Sequence, residues 1–154
     1  MQKILTYDLP NIAATERLAR QIALILEPPL TLGLSGQIGA GKTTFIRAVL
    51  KALGITTVVK SPSYSLVETY LVNNLKIHHF DLYRIRDESE LEYIGFRDFF
   101  ADNAICCIEW PEYSKNCLDK LDVHFNIDVL QGEARQVTIR AYTLQGSKFL
   151  ANWR

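Results

Sequence analysis

A chain of 154 residues, 48% hydrophobic and 22% charged, has the size and composition of one globular domain, expected to span 1–154. Its 17 basic residues balance 17 acidic ones, which argues against autonomous nucleic-acid binding through a broad basic surface. No apolar run reaches about 18 residues and the first residues lack a signal-peptide core, so a cytoplasmic protein outside the membrane is expected.

In chain order, residues 3–7 (KILTY) predict a short first strand. Asn11 is placed to cap a helix with Leu18, Ile22, Ile25 and Leu26 on one stripe, ended by Pro28-Pro29. Leu30 to Leu34 form an apolar strand that stops at Ser35-Gly36. Helical periodicity then carries Phe45, Ile46, Val49, Leu50 and Leu53 over 43–53, with Gly54 as C-cap. Val58 and Val59 lead into Ser61-Pro62-Ser63-Tyr64-Ser65, a hydroxyl-rich loop broken by proline. Alternation predicts strands over 66–72 and 75–80, joined at Asn73-Asn74, which tolerate the positive φ of a tight hairpin.

Asp87 to Tyr93 predict a short helix with acids in its first turn. Gly95 interrupts it, and Phe96, Phe99 and Phe100 continue an apolar face. Residues 104–108 (AICCI) form a continuous apolar run, as a strand buried on both faces requires. A second hairpin is expected from 123–130 and 135–142 about Gln131-Gly132, and a terminal helix over 148–153. From Gln131 to Arg154 four basic residues stand against one acid, and Asp87 to Glu92 carries four acids; both read as solvated faces. Cys106, Cys107 and Cys117 contain no C-x-x-C pair and predict buried, reduced thiols.

Gly36, Gly41, Lys42 and Thr43 have the spacing G-x-x-x-x-G-K-[ST] between strand and helix, the context a Walker A phosphate loop requires. Converging backbone N–H groups and the positive end of the helix attract phosphate. Lys42 is expected to reach the β- and γ-phosphates and the Thr43 hydroxyl to ligate Mg²⁺. Leu34-Ser35-Gly36-Gln37 echoes an ABC-transporter signature, but it lies inside the phosphate loop and cannot serve both roles.

Hydrolysis also needs an acid that holds metal or water. Asp81 and Glu109 each end an apolar strand, where ligands gather in open α/β sheets. Parallel strands would bring Glu109 beside Thr43; Asp81 reaches the same rim only if its strand runs the same way. Trp110 reads equally as a nucleotide sensor and as core, and Thr15 and Trp110 are the candidates for adenine contact. His78 and His79 face opposite ways on a strand, and both read first as structural.

GQIGAGKTTFIR at 36–47, SPSYSLVETY at 61–70, HFDLYRI at 79–85, ELEYIGFRDFF at 90–100 and CIEWPE at 107–112 together resemble the TsaE (formerly YjeE) family of bacterial ATPases. The resemblance covers 31–112 in order and implies a three-layer α/β fold of P-loop NTPase type, with a mostly parallel central sheet and antiparallel hairpin additions. It implies that Gly36, Gln37, Ile38, Gly39, Ala40, Gly41, Lys42, Thr43 and Thr44 hold ATP, with Thr43 on Mg²⁺. It implies a switch-like loop at Ser61 and Ser63, an acid near the metal in Asp81, and a second metal or water-orienting carboxylate in Glu109. The catalytic set is then Lys42, Asp81 and Glu109.

The implied task is ATP-driven resetting of the complex that makes threonylcarbamoyladenosine in tRNA. Its partners would be a TsaD-like threonylcarbamoyl transferase and its inactive TsaB-like homologue, with tRNA reached through them. Gln37 stands where the family usually has Asp, and Ser63 and Ser65 where it favours Thr; mild effects are expected.

A small-molecule kinase is the alternative, with Arg84 and Arg86 as loose lid arginines, but no arginine-rich lid or acceptor pocket is evident. A GTPase would need N-K-x-D, and Lys115-Asn116 has the wrong order and no aspartate.

Overall fold

The computed structural model describes residues 3–57, 62 and 65–153, and there the alternating and apolar runs assemble into a sheet of seven strands. These are β1 (Ile4–Leu9), β2 (Leu30–Ser35), β3 (Val67–Val72), β4 (Leu75–Asp81), β5 (Ile105–Glu109), β6 (Val123–Val129) and β7 (Arg135–Ala141). They lie in the order β1-β7-β6-β2-β5-β4-β3. The central strands β6, β2, β5 and β4 run parallel. Antiparallel partners flank them: β7 and then β1 on one side, β3 on the other.

Among the described residues six α-helices cover the sheet: α1 (Ile12–Ile25), α2 (Lys42–Leu53), α3 (Glu88–Tyr93), α4 (Phe96–Ala101), α5 (Lys115–Leu118) and α6 (Leu144–Ala151). Strand parity divides the core between the two faces. Ile105 and Cys107 pack with Leu18 and Ile22 of α1, Ile46 and Leu50 of α2, and Phe149 of α6. Cys106 and Ile108 point the other way, into a cluster with Phe80, Leu91 of α3, Phe96 of α4 and Cys117 of α5. The expected three layers and hairpin additions are the architecture observed. All three cysteines are free and buried, and burial pushes the Cys106 thiol up to about 12.

Local chemistry sets the element ends. Asn11 Oδ1 accepts the Ala14 N–H at 2.9 Å, and Asp87 with Glu90 forms a capping box on α3. Asn73 and Asn74 take φ of 50° and 65° at the β3–β4 turn. The terminal helix differs from expectation: it begins at Leu144, because Thr143 caps it by accepting the Gly146 N–H. Residues 111–118 add a short 3₁₀ turn (Pro111–Tyr113) and α5, where no helical period was visible. Val58, Val59, Ser61, Ser63 and Tyr64 lie outside the described residues.

Candidate phosphate and metal site

The loop between β2 and α2 hangs from the sheet's central strand, at the carboxyl ends of its parallel neighbours. Two glycines are required by its path. At Gly36 a Cβ would meet the Ile127 carbonyl oxygen at 2.6 Å, and Gly41 starts the helix at φ 106°. The Lys42 ammonium folds back along the loop and donates to the Gly36 and Gln37 carbonyls at 2.6 and 3.0 Å. It also lies 4.0 Å from the centre of the Trp110 ring. Burial lowers its pKa, and the carboxylates of Glu109, Glu112 and Asp81 oppose that shift. From outside the loop, Arg135 Nε donates to Ala40 O at 3.0 Å and Nη2 to Gly39 O at 3.3 Å.

The register puts Leu34, Glu109 and Asp81 on one rung of β2, β5 and β4. β4 therefore runs the way Asp81 needed to reach the rim. The Thr43 hydroxyl, in the first turn of α2, sits 2.8 and 2.9 Å from the two Glu109 oxygens and shares its one proton between them. The Asp81 carboxylate accepts the Tyr83 N–H at 3.0 Å, and its own N–H donates to Leu66 O at 3.0 Å, at the end of the proline loop.

Gly41, Lys42, Thr43, Asp81, Glu109 and Trp110, with Tyr83 and Arg84, line one open cavity of about 290 Å³. Trp110 is held at φ 59°; its ring stacks on Tyr113 at 5.2 Å and meets the Tyr83 ring, tilted by 42°, at 5.1 Å. A hydroxyl and two carboxylates are hard oxygen donors suited to Mg²⁺, which binds through one or two carboxylates and substrate phosphates. Among the described residues no three His, Cys, Asp or Glu side chains are grouped to hold a metal by themselves. A metal here would need the phosphate oxygens too.

On the other side of the loop, Leu9, Ile12, Thr15, Phe45, Ile127 and Arg135 line a second hollow of about 140 Å³. Thr15 and Trp110 thus line different hollows. Ser61 and Ser63 lie outside the described residues.

Three features escaped the sequence reading. Buried His79 places Nε2 2.6 Å from Glu109 Oε2; the available signal was parity, since His79 and Asp81 are two apart on one strand. Arg135, distant in sequence, pins the phosphate loop and left no local signal. Ser35 Oγ lies 2.7 Å from both Glu112 Oε1 and His124 Nε2, joining three segments the sequence keeps apart.

The family model described as "Threonylcarbamoyl adenosine biosynthesis protein TsaE" matches residues 9–137. The chain belongs to the TsaE family. It is 39% identical over 152 residues to the tRNA threonylcarbamoyladenosine biosynthesis protein TsaE of Haemophilus influenzae, covering 96% of both chains. The TsaE of Bacillus subtilis is 32% identical over 139 residues, covering 90% of this chain and 87% of the relative. In three dimensions this TsaE family member is similar to the crystal structure of Bacillus subtilis YdiB. The TM-score is 0.78 at 25% identity, over 98% of this chain and 94% of that one. The fold is that of a P-loop NTPase.

Proposed function

We propose that this TsaE family member is a Mg²⁺-dependent ATPase of the cytoplasm that binds and hydrolyses ATP. Its turnover resets the threonylcarbamoyl transferase complex making threonylcarbamoyladenosine in tRNA. The contact between the Thr43 hydroxyl and both Glu109 oxygens, at 2.8 and 2.9 Å beside Lys42, carries this reading. Phosphoryl transfer needs a lysine, a helix-borne hydroxyl and a strand-end acid within reach of one phosphate group. Here they come from two elements far apart in sequence and meet at the glycine loop.

On binding, Lys42 exchanges its loop carbonyls for β- and γ-phosphate oxygens. A bound Mg²⁺ would be held by the Thr43 hydroxyl oxygen with Glu109 and Asp81 at the strand ends. Bound Mg²⁺ supplies neutralisation of the charge on the transferring phosphoryl group. One Glu109 oxygen orients the attacking water. The nucleoside takes the hollow lined by Leu9, Ile12, Thr15 and Phe45, which offers apolar surface for a base. Turnover is slow in isolation, because phosphoryl transfer leans on positive charge set over the γ-phosphate. A TsaD-like transferase and its TsaB-like homologue raise it, and tRNA is met through them.

Calorimetry with ATP and release of labelled γ-phosphate test the reading together. Lys42→Ala should abolish binding. At saturating Mg²⁺, Glu109→Gln should bind ATP within a few-fold and lose hydrolysis by roughly 10²-fold or more. Normal hydrolysis by Glu109→Gln, or no ATP binding by the unsubstituted chain, would overturn it.

A further inference from the structure

The most deeply buried polar contact of the site is also the one its proposed chemistry does not use. His79 Nε2 lies 2.6 Å from Glu109 Oε2, with the two side chains 0% and 3% exposed. A carboxylate only accepts, so the ring donates its Nε2–H. Nδ1 is buried with no hydrogen-bond partner among the described residues, and the ring's polar contact there is with Glu109. Because His79 pairs with Cys107 and Asp81 with Glu109 across the parallel β4–β5 ladder, the ring sits one pleat behind the acid and on the same face.

We propose that His79 is a positioning residue: its Nε2–H fixes Glu109 Oε2 from behind and so leaves Oε1 presented to the metal and phosphates. This rests on the Mg²⁺–ATP reading above. Thr43 does not choose between the two oxygens. Its hydroxyl now bonds both Glu109 oxygens, and the same hydroxyl is the one a metal would take. His79 donates to Oε2 alone and, besides Thr43, is the side-chain donor on this carboxylate among the described residues. A carboxylate held on one oxygen keeps its rotamer; an unheld one samples several and loses metal affinity, as outer partners of metal ligands generally show.

Two amides separate positioning from packing. In His79→Gln the amide nitrogen can stand near the place of ring Nε2, whereas in His79→Asn it stands near that of Nδ1 and cannot reach Glu109. The measurement is the free Mg²⁺ concentration at which ATP affinity, read by calorimetry, attains half of its metal-dependent gain. That concentration should stay within about threefold for His79→Gln and rise roughly 10–100-fold for His79→Asn. ATP affinity in EDTA should be unchanged in both. Equal Mg²⁺ requirements in the two variants would overturn the proposal. So would loss of cooperative melting in both, since the ring would then serve packing. If the unsubstituted chain shows no Mg²⁺-dependent gain at all, the ATPase reading itself fails.

Discussion

Ser35, one residue before the phosphate loop, has a single proton to give and two partners at 2.7 Å. It donates to Glu112 Oε1 and accepts from His124 Nε2–H, which ties β2 to β6 and to the turn after Trp110. Burial lowers the His124 pKa from 6.5; Glu112 opposes the shift and Arg140 adds to it. Burial lowers that of His78 as well, against Asp102. A base whose pKa is lower folded than unfolded binds protons preferentially in the unfolded chain. Its stability contribution is intact above about pH 6.5 and is lost as pH falls towards the folded value. Melting temperature should therefore decline as pH is lowered below that point, and His124→Gln should flatten the decline. A melting temperature independent of pH there would contradict the assignment. None of this trio was legible, because residues 35, 112 and 124 meet only after three elements have packed. His79 was half legible, since strand parity put it on the Asp81 face but nothing in the sequence gave the distance to Glu109.

Elements with both a period and a punctuation mark were read well: α1 behind Asn11, α2 between Gly41 and Gly54, and the β3–β4 turn at Asn73-Asn74. α6 was read short because a glycine sits inside it. Gly146 is needed there by close approach: a Cβ would lie 2.1 Å from the Asp122 carbonyl oxygen, and the backbone cannot yield cheaply. Gly146→Ala should thus cost about 1–3 kcal/mol in denaturant unfolding, against the gain an alanine normally brings to a helix. Stability equal to or above the unsubstituted chain would show that α6 can lift away from residue 122. The 3₁₀ turn and α5 were illegible for another reason. They are too short to show a period, and Pro111 and Ser114 set them through caps and packing.

For the whole molecule, the parallel centre was legible and the strand order was not. Continuous apolar runs at β2 and β5 mark strands buried on both faces. The pairing of β1 with β7 joins residues near opposite ends of the chain and has no local signature. That order is what brings Thr43, Glu109 and Asp81 to one rim. A site assembled from several strands exists only in the folded chain, so by mass action Mg²⁺–ATP at about 100 times its Kd should stabilise the fold by about 2.7 kcal/mol. The melting temperature should then rise by roughly 5–10 °C, and Lys42→Ala should show no rise. An equal rise in Lys42→Ala would place the nucleotide elsewhere. The posture of Lys42 has one more consequence. Its charge is already spoken for by two carbonyls and an indole face, so an arriving anion must outbid three partners together. A polyphosphate chain can meet the ammonium from two phosphoryl groups at once and a lone phosphate from one, so the resting loop should favour the longer anion.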